Sequence, residues 1–295
     1  MMLHHPRAEI LQLSTAARAL LVLLAALGLV HAAVPAAAQS RAAQSEEQLL
    51  NWYYGAVFGT GVYRTGDRTV SVLQIPFSHE FQPRTGEQYG LKLNVPVSFG
   101  FYDFRFDELL DGQTPHSVST VSVFPGIEFD IPMADNWVLA PYANAGRGWE
   151  LSGSDSAWIY AAGLKSRLSH SIGSDSVLSL GNQLTLSGYR PDGESNRPLG
   201  LLVVGLNLEI PTNLGLWDHP TRVGYHLIYY YYFSRLPYPR SDNINNKISE
   251  EGEIGISLST PKPISMKLFE LDRVGLAFRV GGGIQAVRLF FSLPY

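Results

Sequence analysis

Serine and histidine are the side chains of this sequence that could form a nucleophilic site on a strand. Such a pair needs both residues on one face, two positions apart, so that the imidazole can take the proton of the hydroxyl. None of the eight histidines is followed by Ser at the second position. His170 lies between Ser169 and Ser171, but neighbours along a strand project to opposite faces. We therefore predict that the protein is not an enzyme, and keep a hydrolase with a pair formed across strands as the alternative.

Charged residues recur at alternate positions within apolar segments, which is where a strand with two different faces places them. Glu128 and Asp130 share one face, as an acid pair or a cation site would. Like charges this close need neutralisation where water is scarce, so we favour ion pairs with nearby bases. The predicted network of inward charges is Lys92, Glu128, Asp130, Lys165, Arg167, Glu209 and Arg279.

The turns rich in glycine and serine offer no site for a cofactor. Gly59–Gly61 and Gly281–Gly283 are not followed by a helix or by the Lys of a phosphate-binding loop. Ser154–Ser156 and Ser174–Ser176 hold one carboxylate each, too few for a calcium site. The chain has no cysteine, which excludes disulfides, thiolate metal sites and cysteine nucleophiles. We predict no metal and no cofactor.

The composition argues against one class of partner and favours one class of fold. Of 295 residues, 45% are hydrophobic and only 16% are charged, and the net charge is −4. A nucleic-acid-binding protein would show a basic excess or a basic stripe, so no nucleic acid is predicted as a partner. The length suits one large all-β domain or two small ones, and the abundance of Gly, Ser and Tyr favours strands and turns.

The N-terminal region has the pattern of a secretory signal peptide. Arg7 and Arg18 precede an apolar stretch at 19–30, which is too short to cross a bilayer as a helix. Ala36–Ala38 then form a cleavage site of small residues. The alternative is an uncleaved membrane anchor. A His and a Pro close to the apolar stretch argue against it. The predicted division is a signal peptide at 1–38, a short periplasmic segment at 39–51 and a barrel domain at 52–295.

From residue 52 onward, apolar residues alternate with small, polar or charged ones, the signature of two-faced strands. The clearest segments are 91–101, 121–131, 202–210, 223–233 and 254–258. We predict about twelve strands, an even number as in bacterial barrels formed by a single chain. The last three are placed at 250–260, 272–281 and 284–295, which leaves an unusually long turn at 261–272.

Alternation alone does not distinguish a membrane barrel from a soluble β-sandwich, because each has one apolar face. Three features favour the barrel. The segments are long enough to cross a bilayer, because a tilted strand needs about 9–11 residues to do so. Their less apolar face carries charges in mid-strand, and aromatic residues such as Trp137, Trp149 and Trp158 gather near segment ends. We predict an all-β fold, a closed antiparallel transmembrane β-barrel, with a soluble secreted β-sandwich binding protein as an alternative.

The sequence ends in an alternating segment that reaches an aromatic residue, with Val287, Leu289, Phe291, Leu293 and Tyr295 on one face. This segment resembles the C-terminal strand signal of outer-membrane proteins, which implies recognition by the barrel-assembly machinery and pairing with the first strand. The chain is also similar to the translocator barrels of autotransporters, in particular the solitary kind without a passenger, in length, strand number and a final hairpin at 278–284. It lacks the Asn-Asn pair that some autotransporters cleave just before their barrel.

The strand pattern and the resemblance together imply a protein of the outer membrane with a structural, pore-like or translocator-like role and no passenger domain. Its surroundings would be outer-membrane lipid and lipopolysaccharide. The charged interior of a twelve-stranded barrel predicts a plugged lumen rather than a wide channel. A lipid hydrolase (phospholipase or deacylase) on the same scaffold is the alternative function. Both ends of the barrel are predicted to face the periplasm, which puts the connections at 105–117, 191–197 and 236–247 outside the cell.

Overall fold

A computed structural model describes residues 59–65, 68–102, 118–151, 156–173, 175–193, 196–216, 219–236, 248–266, 269–282 and 284–295. Within these ranges the chain forms thirteen strands, and no helix there is long and apolar enough to cross a membrane. The strands are β1 (Gly61–Thr65), β2 (Arg68–Gln82), β3 (Gly90–Tyr102), β4 (Val118–Val123), β5 (Gly126–Ala134), β6 (Trp137–Glu150), β7 (Ser156–Ile172), β8 (Ser176–Pro191), β9 (Arg197–Leu216), β10 (His219–Leu236), β11 (Ile248–Met266), β12 (Phe269–Gly281) and β13 (Ile284–Phe290). The predicted signal peptide and the segment 39–51 lie outside the described residues.

Neighbouring strands are antiparallel, and the sheet closes on itself where β13 pairs with β1. β4 and β5 are two halves of one strand between β3 and β6, since Val97 lies opposite Val123 and Asn94 opposite Gly126 without a change of register. Pro125 separates the halves because proline has no N–H to donate to the ladder. The described strands therefore form a closed antiparallel barrel of twelve strands, as predicted, and not a two-sheet sandwich.

Alternation along each strand decides which side chains face outward. On β9, Leu206 is 46% exposed, whereas its neighbour Asn207 points into the barrel and is 1% exposed. On β10, Tyr225 and Leu227 are exposed and His226 between them is buried. The outward side chains of these strands are apolar, as the lipid-facing side of a membrane barrel requires. The faces predicted for these segments agree with the structure.

Several strands are longer than the sequence predicted. The expected turn at 261–272 is wrong, because β11 continues to Met266 and β12 begins at Phe269. β11 passes two prolines by shifting its register between Ser259 and Ile264. A bulge of this kind accommodates residues that cannot join the hydrogen-bonded ladder.

The wall of the barrel is uneven in height. β9 has 20 residues and β10 has 18, whereas β1 has 5 and β13 has 7. The two short strands are neighbours, and their pairing is the seam at which the sheet closes. The seam is therefore much shorter than the wall around β9 and β10.

The two ends of the barrel differ in their connections. The strand ends joined by the long connections 103–117 and 237–247 lie at one end, and the strand ends joined by the short connections 135–136 and 217–218 lie at the other. β1 begins and β13 ends at the end with the short turns. Exposed tryptophans mark both ends: Trp137 follows a short turn, and Trp149 and Trp158 lie near the end with the long connections.

Candidate functional site

The inward side chains of β3, β5 and β7 carry two ion pairs. Lys92 Nζ lies 2.5 Å from Asp130 Oδ2, and Lys165 Nζ lies 2.6 Å from Glu128 Oε2. Lys165 also stands over the ring of Tyr142, 5.2 Å from its centre. Each acid has its own base, so the two neighbouring carboxylates are neutralised where they lie. Among the described residues, no group of three or more His, Asp or Glu side chains is arranged to hold a metal ion.

A second group of charges joins side chains of β9, β10, β11 and β12. Arg273 of β12 contacts the carboxylate of Glu209 on β9 and donates to Ser257 Oγ at 2.9 Å. Arg222 Nη1 lies 3.8 Å from the other oxygen of Glu209, and Asn207 Nδ2 donates to Glu209 Oε1 at 3.0 Å. The carboxylate of Glu209 is thus held from β10, from β12 and from its own strand.

Arg279 lies at the centre of a third group and is 2% exposed. Its Nε donates to Glu253 Oε2 at 2.9 Å and its Nη1 to Glu251 Oε2 at 3.4 Å. The guanidinium carbon lies 3.7 Å from the centre of the Tyr230 ring, a close cation–π contact. Arg167, also predicted to be inward, is exposed and lines a cavity near the rim.

Other members of this third group were missed by sequence reasoning. Arg288 Nη1 donates to Glu253 Oε2 at 2.6 Å, and His226 Nε2 lies 3.3 Å from Glu253 Oε1. Glu251 and Glu253 lie on the face of β11 opposite its apolar residues, and Arg288 lies on the face of β13 opposite Leu289. The same alternation that identified the apolar faces could therefore have identified these charges.

An apolar cluster fills the lumen beside the charges. Its buried members include Tyr63, Ile159, Ile228 and Tyr232, and the Tyr232 hydroxyl donates to Glu251 Oε2 at 2.7 Å. Inward side chains this fully buried leave no room for a wide channel at their level. The interior of the barrel is thus partly an apolar core and partly a set of ion pairs, not a polar passage.

A cavity of about 490 Å³ lies on the side of the short turns. Lys92 and Lys165 line one of its walls. Gln183 Nε2 donates there to the Tyr142 hydroxyl at 2.7 Å and to Thr185 Oγ1 at 2.8 Å. Residues 291–295 also line the cavity. The cavity is large enough for a small molecule and is lined by paired charges, amides and hydroxyls.

The predicted last strand at 284–295 is wrong at its end. β13 stops at Phe290, so Val287 and Leu289 lie on it while Phe291, Leu293 and Tyr295 do not. Residues 291–295 turn into the lumen, where Tyr295 is 7% exposed and Leu293 packs against the apolar cluster. The role of the five alternating residues as a barrel-assembly signal stays a prediction.

The described histidines do not form the pair that a hydrolase would need on one strand face. His79, His170 and His219 are exposed. His226 is buried, uses Nε2 on Glu253 and has no hydrogen-bond partner at Nδ1. Its ring packs edge-on against Phe290 at 4.9 Å between ring centres. The buried imidazole is therefore part of the acid–base packing of the lumen.

A single closed sheet with an apolar outward face, aromatic residues at its ends and ion pairs inside defines a β-barrel of the outer-membrane type. Closure satisfies the backbone donors and acceptors of the wall without water, which a bilayer demands.

The sequence matches no family model and no curated protein. Among solved structures, it is similar to the beta domain of the Bordetella autotransporter BrkA, with 11% identity, a TM-score of 0.48 and coverage of 78% of this chain and 94% of that one. It is also similar to the KdgM porin, solved in complex with disordered oligogalacturonate, with 11% identity, a TM-score of 0.35 and coverage of 78% and 93%. Likeness at this identity concerns the fold and transfers no activity.

Proposed function

We propose that this protein is an integral outer-membrane barrel of pore or translocator type whose lumen is closed at rest. The observation that carries the proposal is the buried set of ion pairs around Glu253, inside a barrel whose outward face is apolar. Breaking a buried pair leaves an uncompensated charge, at a cost of about 3–5 kcal/mol. These pairs therefore oppose spontaneous opening of the lumen.

The same proposal assigns the protein its place and its partners. Residues 1–38 act as a cleaved signal peptide, and the barrel-assembly machinery inserts the domain into the outer membrane. The apolar outer surface contacts lipid and lipopolysaccharide, and the exposed tryptophans near both ends sit at the two interfaces. No catalytic role is proposed, because the buried His226 is engaged with an acid rather than a serine.

Planar-bilayer recordings on refolded protein test the closed state. We expect a conductance far below that of open porins with about 16–18 strands, because twelve strands enclose a modest bore and side chains fill it. A gel shift verifies that the inserted protein is folded, because a folded barrel resists detergent until it is heated. A large and steady conductance from folded wild-type protein contradicts the proposal.

A variant of the ion-pair centre tests whether the buried charges keep the lumen closed. Glu253→Gln removes the charge that Arg279 and Arg288 share, so we expect more frequent openings in the same recordings. Glu250→Gln is the matched control, since Glu250 is an exposed acid on the same strand. Equal behaviour of the two variants would show that the pairs do not hold the lumen shut.

A further inference from the structure

The segment Phe291–Tyr295 crosses the lumen instead of continuing the wall, and is named the luminal strap here. β13 ends at Phe290, opposite Gly275 of β12. Tyr295 reaches β8 and β9, and β12, β11 and β10 separate these strands from β13 around the ring. Five extended residues span roughly 17 Å, enough to cross much of a narrow barrel.

The strap ends in a seat formed by two glycines. Gly181 of β8 and Gly205 of β9 are directly opposite each other in the register, and both face the lumen. A Cβ added at Gly181 would lie 1.7 Å from Tyr295 Cδ2, and one added at Gly205 would lie 2.4 Å from Tyr295 Cε1. Any other residue at either position would therefore collide with the ring, so the absence of two side chains creates the space that the ring fills.

Packing rather than hydrogen bonding holds the ring in this seat. The Tyr295 hydroxyl is buried and has no hydrogen-bond partner. Leu293 packs against the apolar cluster, and residues 292–295 line the same cavity as Lys92 and Lys165. A contact made by shape alone can be released without breaking an ion pair, which distinguishes the strap from the charges around Glu253.

We propose that the luminal strap is a gate, and that the Gly181–Gly205 pair is the seat that holds it closed. The proposal deepens the closed-barrel function and rests on it. When Tyr295 leaves the seat, the space that its ring filled joins the cavity, which then extends to the wall formed by β8 and β9. Release of the strap is then the step that widens the lumen.

A disulfide between seat and strap tests the placement, because the chain has no cysteine of its own. A Cβ at Gly181 would lie 2.1 Å from Tyr295 Cγ, so Gly181→Cys with Tyr295→Cys brings the two Cβ atoms within bonding reach. We expect this pair to cross-link in the folded, heat-modifiable barrel on mild oxidation. Gly252→Cys with Tyr295→Cys is the control and should not link, since nothing lies within 4 Å of a Cβ at Gly252.

An opposing pair makes the placement falsifiable. If β13 instead continued as a strand, the register of Gly61 opposite Arg288 would bring position 295 opposite position 54. Tyr54→Cys with Tyr295→Cys would then link, and the pair at 181 and 295 would not. That result overturns the strap.

Conductance tests the gate. The ion pairs around Glu253 also close the lumen, so the gate is tested in the Glu253→Gln background. We expect Tyr295→Ala and Gly181→Val each to raise the conductance of the folded Glu253→Gln barrel severalfold, while Gly252→Val leaves it unchanged. Tyr295→Ala does not alter the wall, so it decides the question if Gly181→Val fails to fold. A closed wild type in which Tyr295→Ala adds nothing to Glu253→Gln overturns the gate alone, whereas an open wild type overturns the closed-barrel function itself.

Discussion

Arg279 shows how single residues close this lumen. It is fully buried, yet two carboxylates and an aromatic ring surround its guanidinium, so its charge is compensated on each side. The sequence predicted that Arg279 faces inward from its place in an alternating segment. It did not predict the partners Glu251 and Glu253, because pairing across strands depends on a register that one sequence does not display.

Arg279→Ala should destabilise the barrel by about 3–5 kcal/mol, since it leaves the buried Glu251 without its base, while Glu253 keeps Arg288. Urea unfolding in detergent, followed by the heat-dependent gel shift, measures the loss. Arg190→Ala is the control: Arg190 is exposed on β8, and its loss should change stability by about 0–1 kcal/mol. A small effect for Arg279→Ala would mean that water already reaches the acids.

Lys92 and Asp130 should be energetically coupled. In a double-mutant cycle with Lys92→Ala and Asp130→Ala, we expect a coupling of about 0.5–3 kcal/mol, because the partly buried groups lie 2.5 Å apart. The same unfolding assay gives the four free energies. Additive single effects would show that the pair forms without contributing to stability.

At the scale of the strand, alternation predicts faces well and ends poorly. Each of the segments 202–210 and 223–233 was assigned to the correct faces, because a period of two is a property of the strand itself. The ends of β11 and β13 were missed for different reasons. β11 continues through two prolines because a bulge accommodates them, and the last five residues leave the wall for a contact in the lumen.

Leu206→Arg tests the face assignment on β9. Leu206 is an outward residue near mid-strand, so an Arg there should cost about 2–4 kcal/mol and reduce folding into lipid vesicles. Asn94→Arg is the matched substitution on the inward side, where the residue lines the cavity, and should fold far better. The gel shift reports both, and comparable loss in the two variants would contradict the assignment of faces.

At the scale of the whole molecule, the closed barrel of twelve strands was predictable because each strand repeats the same pattern. The candidate site was predictable only in part. Lys92, Glu128, Asp130, Lys165 and Glu209 lie in the lumen with partners, but the seat formed by Gly181 and Gly205 carries no sequence signal beyond two small residues. A cavity or a seat forms where residues distant in sequence come together. A local sequence pattern does not predict which residues do so.

The uneven connections predict how the barrel stands in the membrane. External loops of such barrels are longer than periplasmic turns, so the end with connections 103–117 and 237–247 should face outward. A peptide tag inserted at Asn243 should bind antibody on intact cells, and one inserted at 217–218 should bind only after permeabilisation. The opposite labelling would reverse the orientation.

The short seam between β1 and β13 has a consequence for how the ring comes apart. Local opening is easiest where few backbone hydrogen bonds and little apolar surface must be given up. β1 has 5 residues and β13 has 7, while β9 and β10 on the far side have 20 and 18. Amide hydrogen–deuterium exchange in the folded barrel should therefore begin at the seam and reach β9 and β10 last. The cylinder would then open along one line before the rest of its circumference loosens.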